Sequence, residues 1–148
     1  MTSDITRARQ TGEPVAAHYG VPLITHRGVR EIFAGDWEMD PEWTPYQDVI
    51  ASWAKDPTVS MPQGENGVSF FSRFDSAIEE LHSYDCAVVV SHGAALYTWL
   101  SGRGDQKIGG DPSWRLYNTA MVKVEGEPGS WRILSWADRN LTTEHHGF

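Results

Sequence analysis

The run Cys86-Ala87-Val88-Val89-Val90 leads directly into Ser91-His92-Gly93-Ala94-Ala95-Leu96. A short β-branched apolar run reads as a buried strand, and the glycine and alanines after it open a helix. That order places His92 at the carboxyl end of a strand, beside the N–H groups of a helix start. In open α/β sheets ligands bind at such ends, and anions are favoured there. The stretch points to an α/β fold and makes His92 the first candidate for chemistry.

The rest of the chain supports that class. Thr6 to Tyr19 reads as a helix stopped by Gly20, and Pro22 to Thr25 as a short extended piece. Gly28 to Asp40 reads as loop or broken helix. Helical spacing returns over Pro41–Ala54 (Trp43, Tyr46, Ile50, Trp53), with an end marked by Pro57. The clearest helix is Val68 to Ser83, with Phe70, Phe71, Phe74, Ala77, Ile78 and Leu81 on one face. Ser72, Arg73, Asp75, Glu79 and Glu80 fall on the other. Asn118–Glu125 and Ser130–Trp136 alternate as two strands around a Pro128-Gly129 turn, which predicts a hairpin. We therefore expect one domain over residues 1–140 and a tail over 141–148. A doubly wound domain normally begins with a strand, whereas this chain begins just before a helix.

Bulk properties exclude some functions. With 148 residues the chain can bury one real core. Twenty acidic side chains against 12 basic ones give a net charge of -8, so binding to nucleic acid or an anionic membrane is not expected. An anionic ligand must be held by a few placed arginines and dipoles. Cys86 is the only cysteine, which rules out an internal disulfide, and its apolar setting predicts a small buried core residue. The N-terminus has no signal-like apolar region and no run reaches membrane-spanning length, so a reducing cytoplasm is the expected location.

Four short segments can carry chemistry. Ser3-Asp4-Ile5-Thr6-Arg7-Ala8-Arg9-Gln10-Thr11 sets two arginines at a helix start, where the dipole favours anions and guanidinium forks match phosphate oxygens. Taken alone, a solvated helix face explains it as well. In Val29-Arg30-Glu31-Ile32-Phe33-Ala34-Gly35-Asp36-Trp37-Glu38, a carboxylate with aromatic neighbours could be a general acid of raised pKa, or a surface loop glutamate. Pro62-Gln63-Gly64-Glu65-Asn66 reads as a turn before the strongest helix. Ser91-His92-Gly93 is the fourth. A lone histidine is often structural, but a strand end favours function.

In this order the segments resemble the histidine phosphatase superfamily, the phosphoglycerate-mutase-like proteins. S-D-I-T-R-A-R-Q-T is similar to the family's S-D-L-x-R-A-x-Q-T, and V-R-E-I-F-A-G-D-W-E-M to its L-x-E-x-x-x-G-x-W-E-G. Q-G-E-N stands for G-G-E-S, V-V-S-H-G-A-A matches closely, and Asn118-Thr119-Ala120 resembles the later strand. The resemblance runs from Ser3 to about Trp136. It implies a three-layer α/β sandwich with a mostly parallel sheet flanked by helices. It also implies phosphomonoester hydrolysis through a phosphohistidine, on a small phosphorylated metabolite, with no cofactor and no metal.

Carried over residue by residue, Arg7 matches a phosphate-binding arginine. His92, with Gly93 beside it, matches the second histidine, which donates to the phosphoryl group. Glu31 matches the proton donor. Glu65 matches a structural hydrogen-bonding residue, and Arg9 lies at the rim.

The departures bear on activity. The family's R-H-G segment, whose histidine is the nucleophile, does not occur in the sequence; Thr25-His26-Arg27-Gly28 has the order H-R-G and lies after the arginine helix. The resemblance therefore implies a first strand, phosphate turn, helix and most of a second strand missing, an N-terminal truncation that leaves the 148 residues inactive. A loss of that kind would leave an exposed sheet edge that could drive homodimerisation. Met39 and Gln63 replace family glycines, which questions the backbone shape there. The alternative is a non-catalytic descendant that binds a phosphoester, inorganic phosphate or a partner protein. A serine hydrolase is excluded by the lack of a G-x-S-x-G elbow.

Overall fold

A computed structural model of the chain describes residues 1–108, 114–137 and 139–141. It divides into two compact units, Met1–Ala95 and Leu96–Phe148. The elements are α1 (Thr6–Tyr19), α2 (Thr44–Ser52), α3 (Gly67–Glu79), α4 (Gly93–Arg103), β1 (Val122–Glu127), β2 (Ser130–Trp136) and β3 (Arg139–Asn140), with single 3₁₀ turns at Arg27–Val29 and Gly35–Trp37. This is the α/β class expected. The tail from residue 142 lies outside the described residues.

In the first unit the chain starts in the middle of its parallel β component. Thr2 bridges in parallel to Thr25 on one side and to Val90 on the other. The Thr2 amide donates to the Ile24 carbonyl at 2.8 Å, and the Ser3 amide donates to the Val90 carbonyl at 2.9 Å. Thr2 and Ser3 are completely buried. The parallel part is thus three short extended pieces joined by single bridges, not continuous ladders.

The strand expected over 86–90 is correspondingly reduced, and Cys86 is exposed instead of buried. Val88 is also half exposed. An apolar run has the capacity for burial, but burial needs neighbours on both sides. Among the described residues, Met1–Ser3 supplies one edge only.

Local signals place the helices well. Gly20 closes α1 in the left-handed conformation, where a glycine carries no Cβ penalty. Asn66 caps α3 in a reciprocal box with Ser69, so Q-G-E-N delivers the chain into that helix. Phe70, Phe74 and Ala77 of α3 are fully buried, and Trp53 stacks on Phe70 with ring centroids 5.8 Å apart. Burial of each such large side chain is worth about 1.5–3 kcal/mol. Two expected helices end early: α3 stops at Glu79 and α2 spans only Thr44–Ser52.

In the second unit β1 and β2 pair antiparallel, as the Pro128-Gly129 turn predicts, and β3 adds to β2. Trp136 is fully buried and its indole N–H donates to the Trp114 carbonyl at 2.9 Å. No helix among the described residues is long and apolar enough to cross a membrane.

Candidate functional site

His92 is 6% exposed and follows the bridge at Val90. Its Nε2 shares a hydrogen bond of 2.9 Å with the Ser3 hydroxyl, so the two ends of parallel neighbours meet at this pair. Burial, then the positive charges of Arg7 and Arg73, push the His92 imidazole down to about 4. The ring is therefore neutral near pH 7.

Arg7 lies in the first turn of α1. It is exposed, and its guanidinium makes no hydrogen bond or ion pair to another described residue. The helix start has no side-chain cap and no acidic residue in its first turn. A free guanidinium and an open positive helix end suit an oxyanion. Arg9 instead pairs with Glu13 one turn on, at 3.6 Å and on the surface, which fits a rim residue.

Glu31 follows the 3₁₀ turn at Arg27–Val29. Its Oε1 accepts from the Ala95 amide at 2.7 Å and from the Ile32 amide at 3.0 Å. Burial raises its pKa, while these amides and the charge of Arg7 act against the rise. The sequence suggested free N–H groups at the helix start after His92. The structure corrects this: Glu31 already occupies the start of α4, and the open helix end belongs to α1. Gly93 opens α4 and is exposed.

The remaining expectations divide clearly. His26 is structural: its Nδ1 accepts from the Gly28 amide at 2.9 Å and its Nε2 faces Glu80 at 3.2 Å. Met39 and Gln63 keep the left-handed backbone that glycine would favour, with φ of 65° and 51°. Glu65 is a hydrogen-bonding residue, paired with Arg73 at 2.7 Å and accepting from the Phe33 amide at 3.3 Å. Two site neighbours have no role in the sequence reading: Ser3, which opens the S-D-I-T-R-A-R-Q-T segment, and Arg73. Arg73 had a legible signal: it lies three residues after Phe70, on the shoulder of an apolar stripe, where a charge demands a buried partner.

Among the described residues no group of three or more His, Cys, Asp or Glu side chains could hold a metal ion. The arrangement can instead hold an oxyanion by guanidinium, helix dipole and imidazole, with a carboxyl group of raised pKa nearby for proton exchange.

The sequence pattern of the histidine phosphatase superfamily (branch 1) matches residues 1–139, and the chain belongs to that superfamily. It is 26% identical over 146 residues to a Yersinia pestis protein named "Probable phosphoglycerate mutase GpmB", covering 92% of this chain and 66% of that one. The chain thus spans about two thirds of the length of the curated relatives it matches.

Solved structures share the fold. A mycobacterial glucosyl-3-phosphoglycerate phosphatase, in complex with inorganic phosphate, superposes with a TM-score of 0.69 at 21% identity, over 92% of this chain and 74% of that one. The alpha-ribazole phosphatase of Shigella flexneri gives 0.65 at 20% identity, over 94% and 72%.

Proposed function

We propose that these 148 residues bind the phosphoryl group of a small phosphomonoester, or inorganic phosphate, at Arg7 and His92. They supply the phosphate-holding half of a phosphohistidine-type phosphomonoesterase site, with Glu31 as the group that protonates a leaving alkoxide. The observation that carries the reading is Arg7, exposed and unpaired among the described residues at the uncapped start of α1, with its charge felt at the buried imidazole of His92. A bidentate guanidinium neutralises two phosphoryl oxygens, and a histidine that takes up a proton on binding neutralises more. The phosphate complex of the structurally similar mycobacterial phosphatase supports the same ligand class.

Turnover is a separate matter. The nucleophilic R-H-G histidine of the family does not occur in the 148 residues, and His26 is committed to Gly28 and Glu80. On that ground we assign binding without hydrolysis to these 148 residues.

Calorimetric titration with inorganic phosphate tests the binding claim. A millimolar or tighter isotherm is expected, weakened at least tenfold by Arg7→Ala. No heat from the wild-type protein overturns it. An aryl phosphate tests the second claim: turnover abolished by His92→Ala or His26→Ala shows that another nucleophile serves.

A further inference from the structure

The segment that carries Glu31, residues 28–33, has no ladder of its own beyond the single turn at Arg27–Val29. Besides the Ser91 hydroxyl on the Val29 carbonyl and the Glu65 amide on the Phe33 carbonyl, four of its backbone polar groups are bonded from outside by two side chains. Arg73 of α3 donates through Nη1 to the Gly28 carbonyl at 2.7 Å and to the Arg30 carbonyl at 3.0 Å. Through Nη2 it donates to the Glu31 carbonyl at 3.0 Å. Its Nε and Nη2 also donate to the two carboxylate oxygens of Glu65, at 2.7 and 2.8 Å. A guanidinium has five N–H donors, and these five bonds use them all.

Glu65 then returns to the same segment and accepts from the Phe33 amide at 3.3 Å. The carbonyls of residues 28, 30 and 31 and the amide of residue 33 are therefore tied to one ion pair. The pair is sheltered, with side-chain exposures of 24% for Arg73 and 9% for Glu65. The Phe70 ring lies under the guanidinium at 5.1 Å. With its fork spent in this way, Arg73 has no donor left for a phosphate.

We propose that Arg73 and Glu65 form a positioning pair for Glu31, fixing the backbone of residues 28–33 so that the Glu31 carboxyl meets the start of α4 beside His92. Neither side chain of the pair touches the ligand. The functional consequence rests on the phosphate-site reading above, while the positioning itself does not. A lysine in place of Arg73 keeps the charge but replaces a planar fork by a single point of donors, and cannot span three carbonyls and a carboxylate together.

The test uses the whole chain carrying Arg73→Lys, with Glu65→Gln as a second variant that disturbs the same clamp if the first fails to fold. Far-UV circular dichroism and thermal melts establish folding. The first readout is the titration of the Glu31 side-chain carboxyl by ¹³C NMR, assigned with Glu31→Gln. A loosened Glu31 meets more water, so its titration should move down towards that of an ordinary glutamate in either folded variant. The second readout is the pH profile of binding to sulfate, whose charge is fixed across this range. The wild-type affinity should drop as Glu31 ionises, and that drop should shift to lower pH in the variants.

A folded variant whose Glu31 titration and sulfate profile both match the wild type overturns the positioning role. If the wild-type protein binds neither sulfate nor phosphate, the phosphate-site reading fails, and the NMR titration alone decides the clamp.

Discussion

The Glu31 segment and the β1–β2 hairpin organise their backbones by opposite means. In the hairpin, backbone groups pair with backbone groups across the ladder from Val122–Trp136 to Glu127–Ser130, with one irregularity between Lys123 and Val124. In residues 28–33 the backbone has no ladder, and the Arg73 and Glu65 side chains take up three of its carbonyls and one amide. A ladder spreads its stability over many weak, replaceable bonds. A clamp concentrates it in one sheltered ion pair whose loss strands every group it served.

The comparison breaks most sharply at Arg73. Arg73→Met leaves Glu65 buried without its counter-charge and three carbonyls unpaired, and should cost about 3–5 kcal/mol. Denaturant unfolding measures it, and a loss no larger than that of an exposed hairpin substitution would remove the distinction.

The next effect is acid sensitivity at His92. Its folded-state pKa lies below the ordinary 6.5, at about 4, so between those values the unfolded chain binds the extra proton. Stability should therefore fall as pH drops from 6.5 to 4, with a contribution on the order of 3 kcal/mol from His92. Glu31 acts with the opposite sign. Its raised pKa means that the folded state holds the proton longer, so its contribution weakens as pH rises above 4.5. Subtracting the pH–stability profile of His92→Asn from that of the wild type isolates the histidine, and a flat difference would contradict the burial of its neutral ring.

Gly28→Ala comes third. A Cβ there would stand 2.6 Å from the Arg73 carbonyl oxygen and 2.8 Å from the Ala77 Cβ, both fixed on α3. The expected cost is about 1–3 kcal/mol by thermal melting. In the hairpin, Arg132→Ala removes an exposed pair with Glu125 and should change stability by less than about 1 kcal/mol. Equal effects at Gly28 and Arg132 would mean that the clamp region tolerates crowding as well as a surface does.

A gain of about 1 kcal/mol is expected from Met39→Gly, since a left-handed backbone costs about that much for a residue with a side chain. Differential scanning calorimetry reads it as a raised melting temperature. An unchanged or lowered value would show that the loss of the side chain and the freer unfolded chain outweigh the strain.

Much of the candidate site is legible in the sequence. Arg7 is announced by its helix start, His92 by the strand that precedes it, and Glu31 by an ordered motif shared with a family. Their partners were harder to read. Ser3 lies 89 positions from the histidine it bonds, and Ala95 lies 64 positions from Glu31. Arg73 falls at the shoulder of the apolar stripe of α3, and its charge alone assigns it to the solvent face although its guanidinium turns to the segment of Glu31.

Local rules in the sequence by themselves determined the α/β class, the end of α1 at Gly20, the Asn66 cap and the hairpin turn. Each depends on residues within a few positions of one another, where backbone sterics and short-range hydrogen bonds decide the outcome. Only the tertiary structure decided that Glu31 caps α4, that Arg73 ties down a segment more than 40 positions away, and that Cys86 faces solvent. Burial and charge pairing depend on which distant groups arrive, and no local pattern specifies their arrival.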